Sequence, residues 1–188
     1  MTSLAALWLP ILLSAVFVFV ASSLVHMVLQ WHNGDYQKLP DEGKVLDALR
    51  GSRIAAGQYM FPSCGSMKEM GSPEMLAKFQ QGPVGVMVLR GSGMPNMGKA
   101  LGQWFLLCLV IGVLVAYVGG LSMAPGAVFA HVFRVTSATA LLGYAFSSVT
   151  DSIWKGITWS TTARFVVDGT VYALITGATF GWLWPAAV

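Results

Sequence analysis

The chain has 188 residues, of which 55% are hydrophobic and 10% are charged. Soluble domains carry about 25% charged residues, so this composition excludes a typical soluble globular protein and favours a membrane protein. The net charge of +3 is small and dispersed, which argues against a nucleic-acid-binding protein. Cys64 lies in a polar region and Cys108 in an apolar run, so the two cysteines do not indicate a disulfide framework.

The first apolar run covers residues 4–30 and is long enough to cross a bilayer as a tilted helix. No Lys or Arg precedes Lys38, so the run lacks the basic start of a cleaved signal peptide. We therefore predict that residues 1–30 form a retained transmembrane helix. His26 lies about one helical turn before the end of this run.

Residues 31–98 form the one sizeable polar segment, for which we predict a small α/β insertion. Residues 40–51 and 72–82 have the start signals of helices and end at a glycine. Residues 58–61 and 83–90 have the composition of strands. A segment of this size buries little core by itself, so we expect it to pack on the membrane part or on a partner.

Three further apolar runs, at about residues 101–121, 127–149 and 164–184, lie within the predicted transmembrane region 99–188. Together with the first run, they predict an all-α membrane protein with four transmembrane helices. The runs share small residues at four-residue spacing, a pattern that lets helices approach closely in membranes. The predicted packing residues are Cys108, Gly112, Ala116, Gly120, Gly143, Gly169, Ala173, Gly177 and Gly181.

A polar stripe on the last run contains Arg164 and Asp168, one helical turn apart. A carboxylate within a membrane span is energetically costly and is a functional hypothesis by default. The simplest interpretation is an intrahelical salt bridge, and the alternative is a proton or substrate site shared with His26. Asp151 ends the third run near the same membrane face. These four residues are the predicted intramembrane polar site.

Basic residues set the predicted orientation. Eight of the eleven basic residues lie between the first two runs, and Lys155 and Arg164 lie between the last two, on the same predicted side of the membrane. Arg134 is the one basic residue expected at the opposite side. The positive-inside rule therefore places residues 31–98 in the cytoplasm and both termini in the periplasm of a bacterial inner membrane.

Metal-binding and catalytic signals are weak. Met67 and Met70, with Cys64, offer soft ligands of the kind that Cu(I) prefers. No Cys-x-x-Cys motif or histidine pair accompanies them, and methionine commonly fills gaps in small cores. No third histidine is placed to complete a metal site with His26 and His32. We therefore predict no metal, no cofactor and no catalytic residue. HExxH and GxSxG motifs are absent, so no motif argues for an enzyme, although an enzyme is not excluded.

The opening segment LWLPILLSAVFVFVASSLVHMVLQWHNGDYQKLPDE and the closing segment VDGTVYALITGATFGWLWP resemble those of small integral-membrane proteins of bacteria. The resemblance extends over the whole chain. It implies a bacterial membrane protein with four spans, and it implies no activity, cofactor or site residue.

Three functions are open at this point. The first is a non-enzymatic assembly or accessory protein that forms a homo-oligomer or joins a larger membrane complex, with no role for nucleic acid. The second is a small oligomeric transporter or channel with His26 and Asp168 near its cytoplasmic mouth. The third is a metal- or haem-associated redox subunit.

Overall fold

A computed structural model describes residues 1–187, which are mostly helical and include a two-stranded sheet. A 3-10 turn, Leu4–Leu7, leads into the first helix, and a π turn, Leu24–Val28, continues it. The helices and strands in chain order are α1 (Trp8–Ser23), α2 (Glu42–Gly51), β1 (Gly57–Phe61), α3 (Met67–Met70), α4 (Pro73–Gln81), β2 (Gly85–Leu89), α5 (Met97–Ser122), α6 (Phe129–Tyr144), α7 (Ser147–Lys155) and α8 (Trp159–Trp182).

Within the described residues, two helical stretches are long and apolar enough to cross a membrane. They are Leu4–Val28 and Met97–Ser122, both with a mean hydropathy of 2.5. The sequence predicted four such spans. The described residues thus contain two helices that could span a membrane by length and composition, and the first and second predicted spans coincide with them.

The third and fourth predicted spans differ from the helices that form there. The run 127–149 is not one helix, because α6 ends at Tyr144 after 16 residues and a new helix begins at Ser147. Sixteen residues rise about 24 Å, which is short of a hydrocarbon core of about 30 Å. The last helix begins at Trp159 and not at residue 164, since the polar residues before Arg164 already form its first turn.

One of two compact units contains α1, α5, α6 and α8. In this unit α8 packs against both α6 and α1, and α5 also packs against α1 and α6. Its core is built from fully buried apolar side chains such as Leu7, Val115, Val132 and Phe180. Each of the four helices therefore packs against two of the others.

Glycines on α8 allow α6 to lie very close to it. A Cβ atom added at Gly177 would collide with the Ser137 side chain and lie 3.0 Å from the Phe133 carbonyl oxygen. One added at Gly169 would lie 2.7 Å from the Ala145 Cα. Any larger residue at these positions therefore forces the two helices apart.

The other predicted packing residues also lie at contacts inside this unit. A Cβ at Gly112 would lie 3.3 Å from the Ile11 carbonyl oxygen of α1. Close neighbours likewise surround Gly120, Gly143 and Gly181. Buried small side chains complete the set, namely Cys108, Ala116 and Ala173.

The second unit is the small polar insertion and contains α2, β1, α3, α4 and β2. Its strands are antiparallel, with Gly57 opposite Leu89 and Phe61 opposite Gly85. Strands form where the sequence predicts them, although β2 covers only part of the predicted 83–90. Of residues 36–95, all of which the structure describes, only Met75 is buried. This unit has almost no hydrophobic core of its own.

Candidate functional site

The chain after α1 turns back and reaches α8. The π turn Leu24–Val28 continues α1 and forms the last turn of this helical stretch. Gln30 then adopts a positive φ of 51°, which reverses the chain direction. The Asp35 amide donates to the His32 carbonyl at 3.0 Å and closes a tight turn. His32 and Asp35 are thereby presented to α8.

His32 lies between two carboxylates. Its Nδ1 is 2.5 Å from Asp35 Oδ2, and its Nε2 is 2.7 Å from Asp168 Oδ2. Ionised carboxylates only accept hydrogen bonds, so the ring must carry protons on both nitrogens to satisfy both contacts. Burial opposes the charged ring, but the hydrogen bonds to Asp35 and Asp168 outweigh it and raise the pKa of His32 above its ordinary value.

Asp35 is the most enclosed member of the cluster, with a side chain that is 2% exposed. Arg164 Nη1 donates to Asp35 Oδ1, and the Thr161 hydroxyl donates to the same oxygen at 3.2 Å. Burial works against the ionised carboxylate, yet hydrogen bonds from His32 and Arg164 lower the pKa of Asp35 below its ordinary value. Asp35 is therefore an anion held from three sides.

The predicted salt bridge between Arg164 and Asp168 is wrong. Arg164 pairs with Asp35, and Asp168 pairs with His32. The four-residue spacing correctly places Arg164 and Asp168 on one face of α8, but the turn after α1 brings a closer partner to each of them. The formal charges of Asp35, Asp168, Arg164 and protonated His32 sum to zero. Pairing of this kind lowers the cost of burying charged groups.

His26 is brought to the same place. Its ring stacks on the His32 ring, with centroids 4.6 Å apart and planes 10° apart. Its Nδ1–H donates to the Ser22 carbonyl at 2.9 Å, which leaves Nε2 without a proton in the neutral ring. The Ser22 hydroxyl in turn accepts a hydrogen bond from Trp104 Nε1 of α5 at 2.8 Å. The α1 end of the cluster is thus tied to a second helix.

Three of the four residues of the predicted polar site therefore meet. His26, Arg164 and Asp168 belong to one cluster, whereas Asp151 lies on α7, outside the contacts described above. His32 and Asp35 also belong to this cluster, although the predicted polar site did not include them. Their signal is a histidine and an aspartate three residues apart, with a glycine between them, directly after an apolar helix.

A set of metal-ligand atoms occurs within this cluster. His26, His32 and Asp168 each offer one ligand atom, and the three atoms lie within 4.8 Å of one another. The weaker candidates from the sequence are less organised. Met67 on α3 is 81% exposed, and Cys64 is a free, half-buried thiol.

Aromatic side chains continue the polar face of α8 into the bundle. The Tyr172 ring lies one turn beyond Asp168 and packs against Trp104 and Tyr144, at centroid distances of 6.0 and 5.8 Å. Its hydroxyl is buried and has no hydrogen-bond partner among the described residues. Buried polar groups are nearly always satisfied, which makes this hydroxyl an exception.

No protein-family model, curated protein or solved structure matches this chain. The chemistry of the cluster and the surfaces of the two units therefore carry the functional argument.

Proposed function

We propose that this chain is a multi-pass protein of the bacterial inner membrane in which α1, α5, α6 and α8 all cross the bilayer. The two long apolar helices support this proposal. The third crossing would use α6 and the beginning of α7, because α6 alone is short. Apolar side chains exposed on α1 and α5, including Phe17, Val20, Leu106 and Leu114, form a surface suited to lipid.

The distribution of basic residues supports a cytoplasmic position for the insertion and periplasmic termini. In that orientation the cluster of His32, Asp35, Arg164 and Asp168 lies at the cytoplasmic membrane surface, where α1 ends and α8 begins. Water and lipid headgroups near that surface reduce the cost of its charges.

The proposed role is that of an assembly or accessory protein, and the observation that carries it is the missing core of the insertion. A unit of this size with one buried residue cannot stabilise itself by its own hydrophobic burial. Its two-stranded sheet also leaves both outer edges without a strand partner in the described part of the chain, and such edges pair readily with another chain. Its exposed apolar side chains include Leu39, Met60, Leu76, Val84 and Val88.

The test is purification in a mild detergent with measurement of the particle mass. We expect a homo-oligomer or a co-purifying membrane subunit, and we expect Val88→Lys or Leu76→Lys to release it. Gln37→Lys is the matched control, because it adds the same charge at an exposed polar position. A wild-type monomer with no companion protein would refute the proposal.

A second candidate is a small oligomeric transporter or channel with His26 and Asp168 at its cytoplasmic mouth. The series Asp35–His32–Asp168 favours it, since a histidine between two carboxylates can pass a proton between them. The expected result is a pH-dependent ion flux in liposomes that Asp168→Asn removes. An equal flux in the variant would exclude this function for the site.

A further inference from the structure

We propose that His26, His32 and Asp168 bind a divalent transition-metal ion of the Zn²⁺ class. Two imidazoles and one carboxylate are a ligand set that proteins use for Zn²⁺ and Fe²⁺ at sites that keep an open coordination position. Here the three ligand atoms already lie within 4.8 Å of one another, although His32 and Asp168 are far apart in sequence. This inference goes beyond the assembly role and does not depend on it.

The strongest support is the arrangement behind the ligands. A metal-binding histidine almost always donates its other ring N–H to a carbonyl or a carboxylate, which fixes the tautomer and the ring orientation. Both histidines do so here. His26 Nδ1 bonds the Ser22 carbonyl at 2.9 Å, and His32 Nδ1 bonds Asp35 Oδ2 at 2.5 Å. In both rings Nε2 is then the nitrogen left for a metal.

Asp35 acts as a positioning residue in this arrangement and not as a ligand. Its second oxygen accepts hydrogen bonds from Arg164 and Thr161, so its carboxylate is fixed independently of any metal. Arg164 pairs with Asp35, which partly neutralises its positive charge. Arg164 therefore competes less with a metal cation for the Asp168 carboxylate. The Asp168 side chain, 7% exposed, remains directed at His32.

Metal binding replaces a proton. In the metal-free cluster His32 Nε2–H donates to Asp168 Oδ2 across 2.7 Å. Metal–ligand bonds of about 2.0–2.2 Å in tetrahedral geometry would widen this gap to about 3.4 Å. The proton leaves for solvent as the ion enters, and the formally neutral cluster of Asp35, Asp168, His32 and Arg164 gains one positive charge.

His26 supplies the adjustable ligand. Its ring lies parallel to the His32 ring, so it must tilt for both Nε2 atoms to reach one ion. His26 is exposed and can make this movement without disturbing the core. Imidazole ligands favour Zn²⁺, Fe²⁺, Co²⁺ or Ni²⁺ over the hard cations Mg²⁺ and Ca²⁺.

The test is a metal titration of protein purified in detergent without a histidine tag and stripped with a chelator. We expect one Zn²⁺ per chain in a competition assay and a tetrahedral visible absorption band with Co²⁺. His26→Gln and Asp168→Asn should weaken Zn²⁺ binding at least about 100-fold. Asp35→Asn, which changes the group that accepts the hydrogen bond from His32 Nδ1, should weaken it about 10–100-fold. His131→Gln, on α6, is the matched control and should bind like the wild type.

His26→Gln is the decisive variant, because His26 is exposed and its replacement leaves the buried ion pairs intact. Circular dichroism and gel filtration in detergent verify the fold of each variant. Wild-type protein that binds no stoichiometric Zn²⁺ overturns the proposal, and so does binding that His26→Gln leaves unchanged. These outcomes are independent of the oligomer measurement, so the two proposals can fail separately.

Discussion

Replacement of Gly177 by leucine tests the close packing of α8 on α6. Even a single Cβ there would collide with Ser137 and press on the Phe133 carbonyl. Overpacking of this kind costs about 1–3 kcal/mol for a few added methylenes. Alanine has a higher helix propensity than glycine, and this difference offsets about 1 kcal/mol of the overpacking cost. We therefore expect Gly177→Ala to lose between zero and about 2 kcal/mol, and Gly177→Leu to lose more than about 3 kcal/mol.

The assay is thermal unfolding in detergent, followed by circular dichroism. For a chain of this length, 1 kcal/mol shifts Tm by about 2–4 °C, so Gly177→Leu should lower Tm by at least about 6 °C. The matched control is Gly102→Ala on α5, where an added Cβ meets nothing within 4 Å. That variant should raise Tm slightly through helix propensity. An unchanged Tm for Gly177→Leu would refute the packing geometry.

Three further predictions concern single side chains. Asp35→Asn should lower the free energy of unfolding by about 1.5–3 kcal/mol, because it weakens the charged hydrogen bonds of Asp35 with His32 and with the partly exposed Arg164. The exposed pair partner Asp47→Asn should cost about 0–1 kcal/mol, and Tm measures both effects. Tyr172→Phe should leave Tm equal or higher, since it removes a buried hydroxyl that has no partner; a lower Tm would mean that the hydroxyl is bonded. A membrane-impermeant maleimide should label Cys64 in opened vesicles but not in intact spheroplasts, with buried Cys108 silent in both; labelling of Cys64 from outside would reverse the proposed orientation.

The helices were predictable to the extent that hydrophobicity alone determines them. Leu4–Val28 and Met97–Ser122 follow directly from long apolar runs. The end of α6 does not, because residues 145–149 are as apolar and small as those before them. The break coincides with a close approach of α8, where Gly169 faces Ala145, and that contact is formed by tertiary packing. The predicted span also omits the polar first turn of α8, residues 159–163. The reason is that the span was defined by hydrophobicity, which these residues lack.

Part of the candidate site was predictable from the sequence, but the cluster as a whole was not. The cost of intramembrane charge singles out Asp168 and Arg164 from the sequence. Their partners, His32 and Asp35, lie more than a hundred residues earlier and reach α8 through a π turn and a positive φ at Gln30. Local spacing does not predict such a turn, so spacing alone pairs Arg164 with the nearest acid on its own helix. The geometry instead divides the four charges into two long-range pairs.

A double-mutant cycle between His32 and Asp168 tests most directly that the turn after α1 is bound to α8. Unfolding of the wild type, His32→Gln, Asp168→Asn and the double variant would be compared in metal-free buffer. A hydrogen bond between charged groups is worth about 1.5–3 kcal/mol, so we expect a coupling energy of that size. The exposed pair Asp41 and Lys44 should show a coupling below about 1 kcal/mol. A His32–Asp168 coupling of zero would contradict the contact on which the site is built.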